Sequence, residues 1–177
     1  MRRQPVAILL GLLAVLALAG AVGGCGEEEP ETEVVEGEPI EIGDLEYNVQ
    51  LTRFLNPDDN EDAEYLVGQP PAEPGTEYLG VFLVVENETE EERPSADGYV
   101  IRDTLETEYE PLETESPYAL EIGAEVPAEG ELPLPNTTPA TGPTQGSLLI
   151  FQVDAGVGEN RPLKLEIDSS GEVELDI

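Results

Sequence analysis

The reactive group with the most informative position is the thiol of Cys25, the only cysteine in the chain. It follows a run of apolar residues, so any chemistry at this thiol takes place at the end of an apolar leader. Because there is no second cysteine, an intramolecular disulfide is impossible and stability must come from packing. The chain also contains no histidine, which excludes zinc and haem sites that rely on cysteine or histidine ligands.

The other side chains give little support for enzymatic chemistry. A serine nucleophile needs a base, and without histidine the remaining choice is Lys164, which the strand pattern places on a solvent face. Paired carboxylates could hydrolyse glycosides, but among 40 acidic residues no pair stands out, and there is no tryptophan to stack on a sugar ring. We predict a non-catalytic protein without a cofactor. An envelope enzyme that uses carboxylate chemistry is kept as an alternative.

One stretch has the ligand spacing of a calcium loop. Asp58, Asn60 and Asp62 match the first three ligand positions, where oxygen atoms from alternate residues converge on one cation. The match then breaks, because Ala63 replaces the glycine of the turn and Gln69 stands where a bidentate Glu belongs. We prefer a solvated acidic loop here, and a divalent-cation (calcium) binding protein is a second alternative function.

The amino terminus has the layout of a secretory signal peptide. Arg2 and Arg3 carry positive charge, residues 6–21 are apolar or small, and small residues precede Cys25. As a helix the apolar run reaches only about 24 Å, against about 30 Å for the hydrocarbon core of a bilayer. We therefore expect an export signal rather than a permanent membrane span.

The four residues Val22, Gly23, Gly24 and Cys25 resemble the lipobox of bacterial lipoproteins at every position. The resemblance implies that the Cys25 thiol receives a diacylglyceryl group and that a signal peptidase recognises residues 22–24 and cuts before the cysteine. Fatty chains such as palmitate then hold the protein on the outer side of the cell membrane, because two chains bind firmly where one does not. The alternatives are an ordinary signal peptide or an uncleaved anchor with an incidental cysteine.

The chain after residue 24 is extremely acidic. It holds five basic and 40 acidic residues, a formal charge of −35. Nucleic-acid binding is excluded, since it requires Lys or Arg to displace counterions from phosphates. The charge favours a cationic or protein partner, although an acid-rich proteome or a salty habitat is the simpler explanation.

The folded part is predicted to begin at Ile40. Residues 26–39 are rich in Glu with little to bury, so we expect a disordered acidic linker there. Beyond it, apolar residues alternate with polar ones, and residues 78–86 and 147–153 are apolar on both faces, as in central strands. The strands are predicted at residues 40–42, 45–52, 78–86, 99–103, 108–112, 147–153, 163–167 and 173–177. Without a convincing amphipathic helix, they indicate one all-β domain, an antiparallel β-sandwich over residues 40–177.

Two connections are unusually long. Residues 56–76 include four prolines, and we expect a functional or mobile loop in which Tyr65, Leu66 and Val67 pack against the sandwich. Residues 127–146 include five prolines, which predicts polyproline-like coil along the surface.

Four segments resemble the telokin-like family of bacterial lipoproteins, which has no assigned function. They read Val-Val-Glu-Asn (84–87), Tyr-Val-Ile-Arg-Asp (99–103), Gly-Ser-Leu-Leu-Ile-Phe-Gln-Val (146–153) and Pro-Leu-Lys-Leu-Glu-Ile (162–167). The resemblance implies an immunoglobulin-like sandwich of about seven strands, exported and tethered by a lipidated cysteine, and it brings no catalytic residues. One departure lies at residues 104–107, where the resemblance leads us to expect a glycine and none is present.

These observations favour a lipid-anchored, extracytoplasmic binding or interaction module of the cell envelope. Cys25 is the expected anchor and residues 26–39 the expected spacer. Loops such as 56–76 are the surface we expect to face an unknown partner.

Overall fold

The computed structural model describes residues 33–168 and 170–177. Val22, Gly23, Gly24 and Cys25 lie outside the described residues, as does the apolar leader before them. In the described part of the chain, no helix is both long and apolar enough to span a bilayer.

The described residues form twelve strands and a few short helical turns. The strands are β1 (Glu33–Val35), β2 (Pro39–Ile42), β3 (Leu45–Leu55), β4 (Thr76–Asn87), β5 (Arg93–Pro94), β6 (Tyr99–Arg102), β7 (Glu108–Tyr109), β8 (Glu125–Val126), β9 (Gly130–Leu132), β10 (Ser147–Asp154), β11 (Leu163–Ile167) and β12 (Gly171–Leu175). The helical segments are α1 (Thr138–Thr141) and two 3-10 turns, Asp62–Glu64 and Val157–Glu159.

Two sheets face each other. The first has the order β10-β4-β3-β2, with β9 pairing the end of β4 beyond β10. The second has the order β1-β12-β11-β6-β7, in which only the β1–β12 pair is parallel. A small ribbon of β5 and β8 completes the strand pairing.

The connectivity is that of an immunoglobulin-like β-sandwich. The chain crosses between the sheets from β1 to β2, from β4 to β6, from β7 to β9 and from β10 to β11. In the immunoglobulin pattern, β3, β4 and β10 take the places of strands A, B and E, while β6, β11 and β12 take those of C, F and G. The predicted all-β sandwich is confirmed.

The alternating sequence pattern explains the main core. Leu45, Tyr47 and Val49 point inward from β3, and Leu163, Leu165 and Ile167 do so from β11, all at most 5% exposed. Successive side chains of a strand point to opposite faces, so every second residue enters the space between the sheets. The eight predicted strands all occur, with ends shifted by a few residues.

Strand β4 is apolar on both faces because both faces are covered. A second apolar cluster lies on the outer side of the first sheet, where the loop 56–75 and residues 111–121 form a third layer over Phe82 and Ile150. Within that loop Tyr65 and Leu66 are buried, as expected, while Val67 remains 39% exposed.

Two sequence predictions are wrong in detail. Residues 33–38 are not part of a disordered linker, because β1 adds to the edge of the second sheet and buries Val34 in the core. Residues 127–146 are not continuous polyproline coil, since they contain β9 and α1. In both places few apolar side chains alternate, so the sequence pattern carried little signal.

Candidate functional site

A groove of about 760 Å³ lies between residues 117–125 and residues 132–139. Ser147, the first residue of β10, also lines it. The lining mixes apolar side chains such as Leu120 and Leu132 with short polar ones such as Thr137. Its volume falls in the range of about 300–1,000 Å³ that is usual for ligand pockets.

One wall of the groove is hydrogen-bonded to the edge of β10 that does not pair with β4. The backbone N–H of Leu120 donates to the carbonyl of Leu148 (2.9 Å), and the N–H of Leu148 donates to the carbonyl of Tyr118 (2.7 Å). These bonds fix the segment beside β10 without making it a regular strand. Pro117 precedes them and exposes its ring at the groove.

The opposite wall is held by β9 and by two turns. β9 pairs with the end of β4, which places Leu132 and Pro133 facing the groove. Both the N–H and the hydroxyl of Thr137 donate to the carbonyl of Leu134, at 3.2 and 2.6 Å. Gly146 N–H donates to the carbonyl of Pro139 (3.1 Å) and returns the chain to β10.

One wall of the groove is bonded to the end of the sandwich where β1 begins, which we call the proximal end. β1 starts there with Glu33, beside the start of β12. Asp168, in the turn before β12, accepts a hydrogen bond from Gly98 N–H (2.8 Å). The carbonyl of Ala96, two residues before Gly98, accepts a hydrogen bond from the N–H of Gly123 in the groove wall (3.1 Å).

A second concavity adjoins the groove. It has a volume of about 630 Å³ and lies on the other side of residues 119–122, which therefore form a ridge between the two. Ile122 on this ridge is 44% exposed, and Leu134 on the far wall of the groove is 46% exposed. These two side chains add exposed apolar surface at the borders of the two concavities.

The groove lining combines negative charge with apolar surface. Two exposed carboxylates, Glu121 and Glu125, lie in its lining, and the lining contains no Lys, Arg, Cys or Tyr. Such a surface attracts cations by charge and holds apolar groups by burial.

The outer face of the first sheet carries a row of four glutamates. Strand register places Glu41, Glu46, Glu86 and Glu131 directly opposite one another on β2, β3, β4 and β9. Partial burial raises the pKa of Glu46, and the neighbouring carboxylates of Glu86, Glu88 and Glu41 raise it further. Like charges placed opposite one another across strands destabilise a sheet.

The three residues of the suggested calcium loop do not converge. Asp58 and Asn60 are exposed, whereas Asp62 is buried and turned inward. The Asp62 carboxylate forms an ion pair with Arg53 and accepts a hydrogen bond from the N–H of Asn56 (2.8 Å). Among residues 33–168 and 170–177, no group of three or more acidic side chains is arranged to hold a metal ion.

The β6–β7 turn shows how the chain manages without the expected glycine. Glu106 adopts the left-handed conformation that glycine favours, with φ of 62°. The carboxylate of Asp103 accepts the N–H groups of Leu105 and Thr107, both at 2.9 Å, and so holds the turn. Burial would raise the pKa of Asp103, but these backbone hydrogen bonds outweigh burial and lower it.

The side chain of Lys164 links β11 to β1 and β12 through ion pairs. Its ammonium group lies on the outer face of β11 and forms ion pairs with Glu33 (2.5 Å) and Glu172 (3.6 Å). The hydrogen bond that Lys164 donates to the Glu33 carboxylate raises the pKa of Lys164. A cation held in this way serves poorly as the base of a serine nucleophile.

The groove residues were missed by the sequence interpretation. Residues 117–125 and 132–139 show neither helical nor strand periodicity, and their prolines indicated only coil. The available signal was the presence of Ile122 and Leu134, two large aliphatic residues in proline-containing connections.

Comparisons with known proteins support the fold. No protein-family model and no curated protein matches the chain. An uncharacterized β-sandwich protein of Clostridium difficile 630 aligns with a TM-score of 0.51 and 18% identity over 85% of this chain and 97% of that one. A conserved hypothetical protein of Bacillus anthracis aligns with a TM-score of 0.53 and 8% identity over 80% and 94% of the two chains. Identities this low show the sandwich fold alone.

Proposed function

We propose that this chain is a lipid-anchored, extracytoplasmic, non-catalytic binding module, with a telokin-like sandwich as its body. Residues 1–24 direct export and are removed, and a diacylglyceryl group on Cys25 holds the protein at the membrane. The groove at the proximal end binds the partner.

The position of the groove carries this proposal. Seven residues separate Cys25 from Glu33, and a chain of that length reaches at most about 25 Å. Because β1 begins at the proximal end, the proposed anchor would hold that end of the domain, and the groove wall bonded to it, close to the membrane. A partner in or near the same membrane therefore lies within reach.

The loop 56–75 is a weaker candidate for the binding surface. Its aromatic and aliphatic centre is buried against Phe82 and Tyr118, and the Arg53–Asp62 ion pair ties its first half to β3. A partner would have to displace this packing, whereas the groove is already open.

Site-specific crosslinking in intact cells tests the proposal. A photoreactive amino acid is placed at Leu134 in the groove wall and, as a matched control, at Leu105, which is 69% exposed at the opposite end. We expect a defined adduct from the Leu134 position and none from Leu105. Intact mass measured on the same purified protein should show an acylated Cys25 at the amino terminus.

Equal adduct patterns at the two positions would remove the groove as the binding surface. An unmodified thiol, or residues 1–24 still attached, would remove the anchor. The two readouts are independent, so either half of the proposal can fail alone.

A further inference from the structure

We infer that the groove recognises a peptide segment of a protein partner in which an apolar side chain lies next to a Lys or Arg. This inference rests on the proposed function and names the partner chemistry of the same site. Three features of the groove carry it: its charge, its apolar surface and its extent.

The charge of the site selects cations. Glu121 and Glu125 are exposed in the groove lining, which holds no basic residue. Residues 33–177 contain 36 acidic and five basic residues, a formal charge of −31, so the surrounding field has the same sign as the site. Such a field attracts a cationic segment from a distance and repels phosphates, acidic peptides and a second copy of this chain.

The apolar surface of the groove indicates that the ligand carries an apolar group as well as a cation. Leu120, Leu132 and Leu134 line the groove, and Ile122 lines the adjoining concavity. Leu134 and Ile122 are each about half exposed. A ligand that covers these side chains removes apolar surface from water, at about 25 cal/mol for each Å² buried. A polar cation such as a hydrated metal ion would leave this surface uncovered.

The extent of the site favours a peptide over a small organic cation. The groove and the second concavity share Ala119, Leu120 and Glu121, so the two form one surface on either side of the ridge 119–122. Their combined volume exceeds what one small cation occupies. A chain segment can lie across the ridge with an apolar side chain on each side and a cation over Glu121.

Binding of labelled synthetic peptides to the full-length protein in detergent tests this inference. The peptides are about ten residues long, which spans about 30 Å when extended. One alternates Leu with Lys, one alternates Leu with Glu, and one alternates Ser with Lys, while spermine serves as a small polycation. Fluorescence anisotropy should show that the Leu/Lys peptide binds at least about tenfold more tightly than the other two, a difference of about 1.4 kcal/mol.

Two double variants locate the site, and a third serves as the control. One double variant combines Glu121→Gln with Glu125→Gln, and the other combines Ile122→Ser with Leu134→Ser. Each should weaken binding of the Leu/Lys peptide at least about fivefold. Salt at about 0.5 M should weaken binding to the wild-type protein as well. The control pair Glu106→Gln with Glu108→Gln removes the same charge at the opposite end and should change binding less than about twofold.

Three results would overturn the inference. They are equal weakening by the control pair, undiminished binding of the Ser/Lys peptide, and complete displacement of the Leu/Lys peptide by spermine. If the Leu134 crosslink forms in cells but no Leu/Lys peptide binds, the proposed function stands and this inference fails.

Discussion

At the scale of single residues, the β6–β7 turn shows backbone strain compensated by hydrogen bonds. Glu106 occupies a left-handed conformation that costs an L-residue about 1 kcal/mol. The carboxylate of Asp103 compensates by accepting two backbone N–H groups within the turn. The turn therefore keeps the geometry of a three-residue hairpin loop without the usual glycine.

Replacing Glu106 with glycine should stabilise the protein. Glu106→Gly relieves the strain at φ of 62°, and the gain should be about 0.5–1 kcal/mol. The exposed contact with Arg102 at 3.5 Å contributes little that would be lost. Urea unfolding should show a higher midpoint with an unchanged slope.

The matched control for this change is Glu106→Ala. It removes the same side chain but keeps the left-handed strain, so its unfolding midpoint should not rise. A rise of equal size in both variants would assign the effect to the lost carboxylate.

At the scale of elements, the loop 56–75 acts as a third layer. The ring of Tyr65 meets those of Phe82 and Tyr118 edge-on, with centroids 5.1 and 4.7 Å apart, and the guanidinium of Arg53 lies 5.5 Å from the Tyr65 centroid. The packing of its apolar centre could be predicted from the sequence. The burial of the Asp62 side chain could not be predicted. Its partner Arg53 lies on β3, and the sequence does not specify which loop residues pack against that strand.

Tyr65→Ala should destabilise the domain strongly. The side chain is 3% exposed, and removing a buried aromatic group costs about 3 kcal/mol. Val67→Ala, two residues along and 39% exposed, is the control and should cost less than about 0.5 kcal/mol. Thermal unfolding followed by circular dichroism compares the two, and similar melting temperatures would show that the loop is not a packed layer.

At the scale of the whole molecule, hydrophobic alternation was sufficient to predict the sandwich and its strands. The register between the strands could not be predicted, because strand pairing depends on long-range contacts rather than on local pattern. The row of glutamates from Glu41 to Glu131 follows from that register, so it could not be predicted either. The groove was not predictable for a related reason, since its two walls are connections brought together by β9 and β10. The sequence favoured loops such as 56–76 as the binding surface, whereas the groove that we propose lies between other connections.

Self-repulsion should make the stability of the molecule depend on salt. Raising NaCl from about 10 mM to about 500 mM shortens the screening length from about 30 Å to a few ångström, so the melting temperature should rise. The double variant Glu46→Gln with Glu86→Gln removes the centre of the glutamate row and should show a smaller rise than the wild type. Differential scanning calorimetry measures both, and a melting temperature that does not change with salt would contradict the expectation.

The parallel pairing of β1 with β12 has a mechanical consequence. Tension applied from the Cys25 side pulls β1 along its own axis, because the strand runs away from the proximal end. The hydrogen bonds of all three paired residues are then loaded in shear at the same moment, and Val34 resists sliding because it is seated in the core. The amino-terminal strand therefore detaches only when all of these bonds break together.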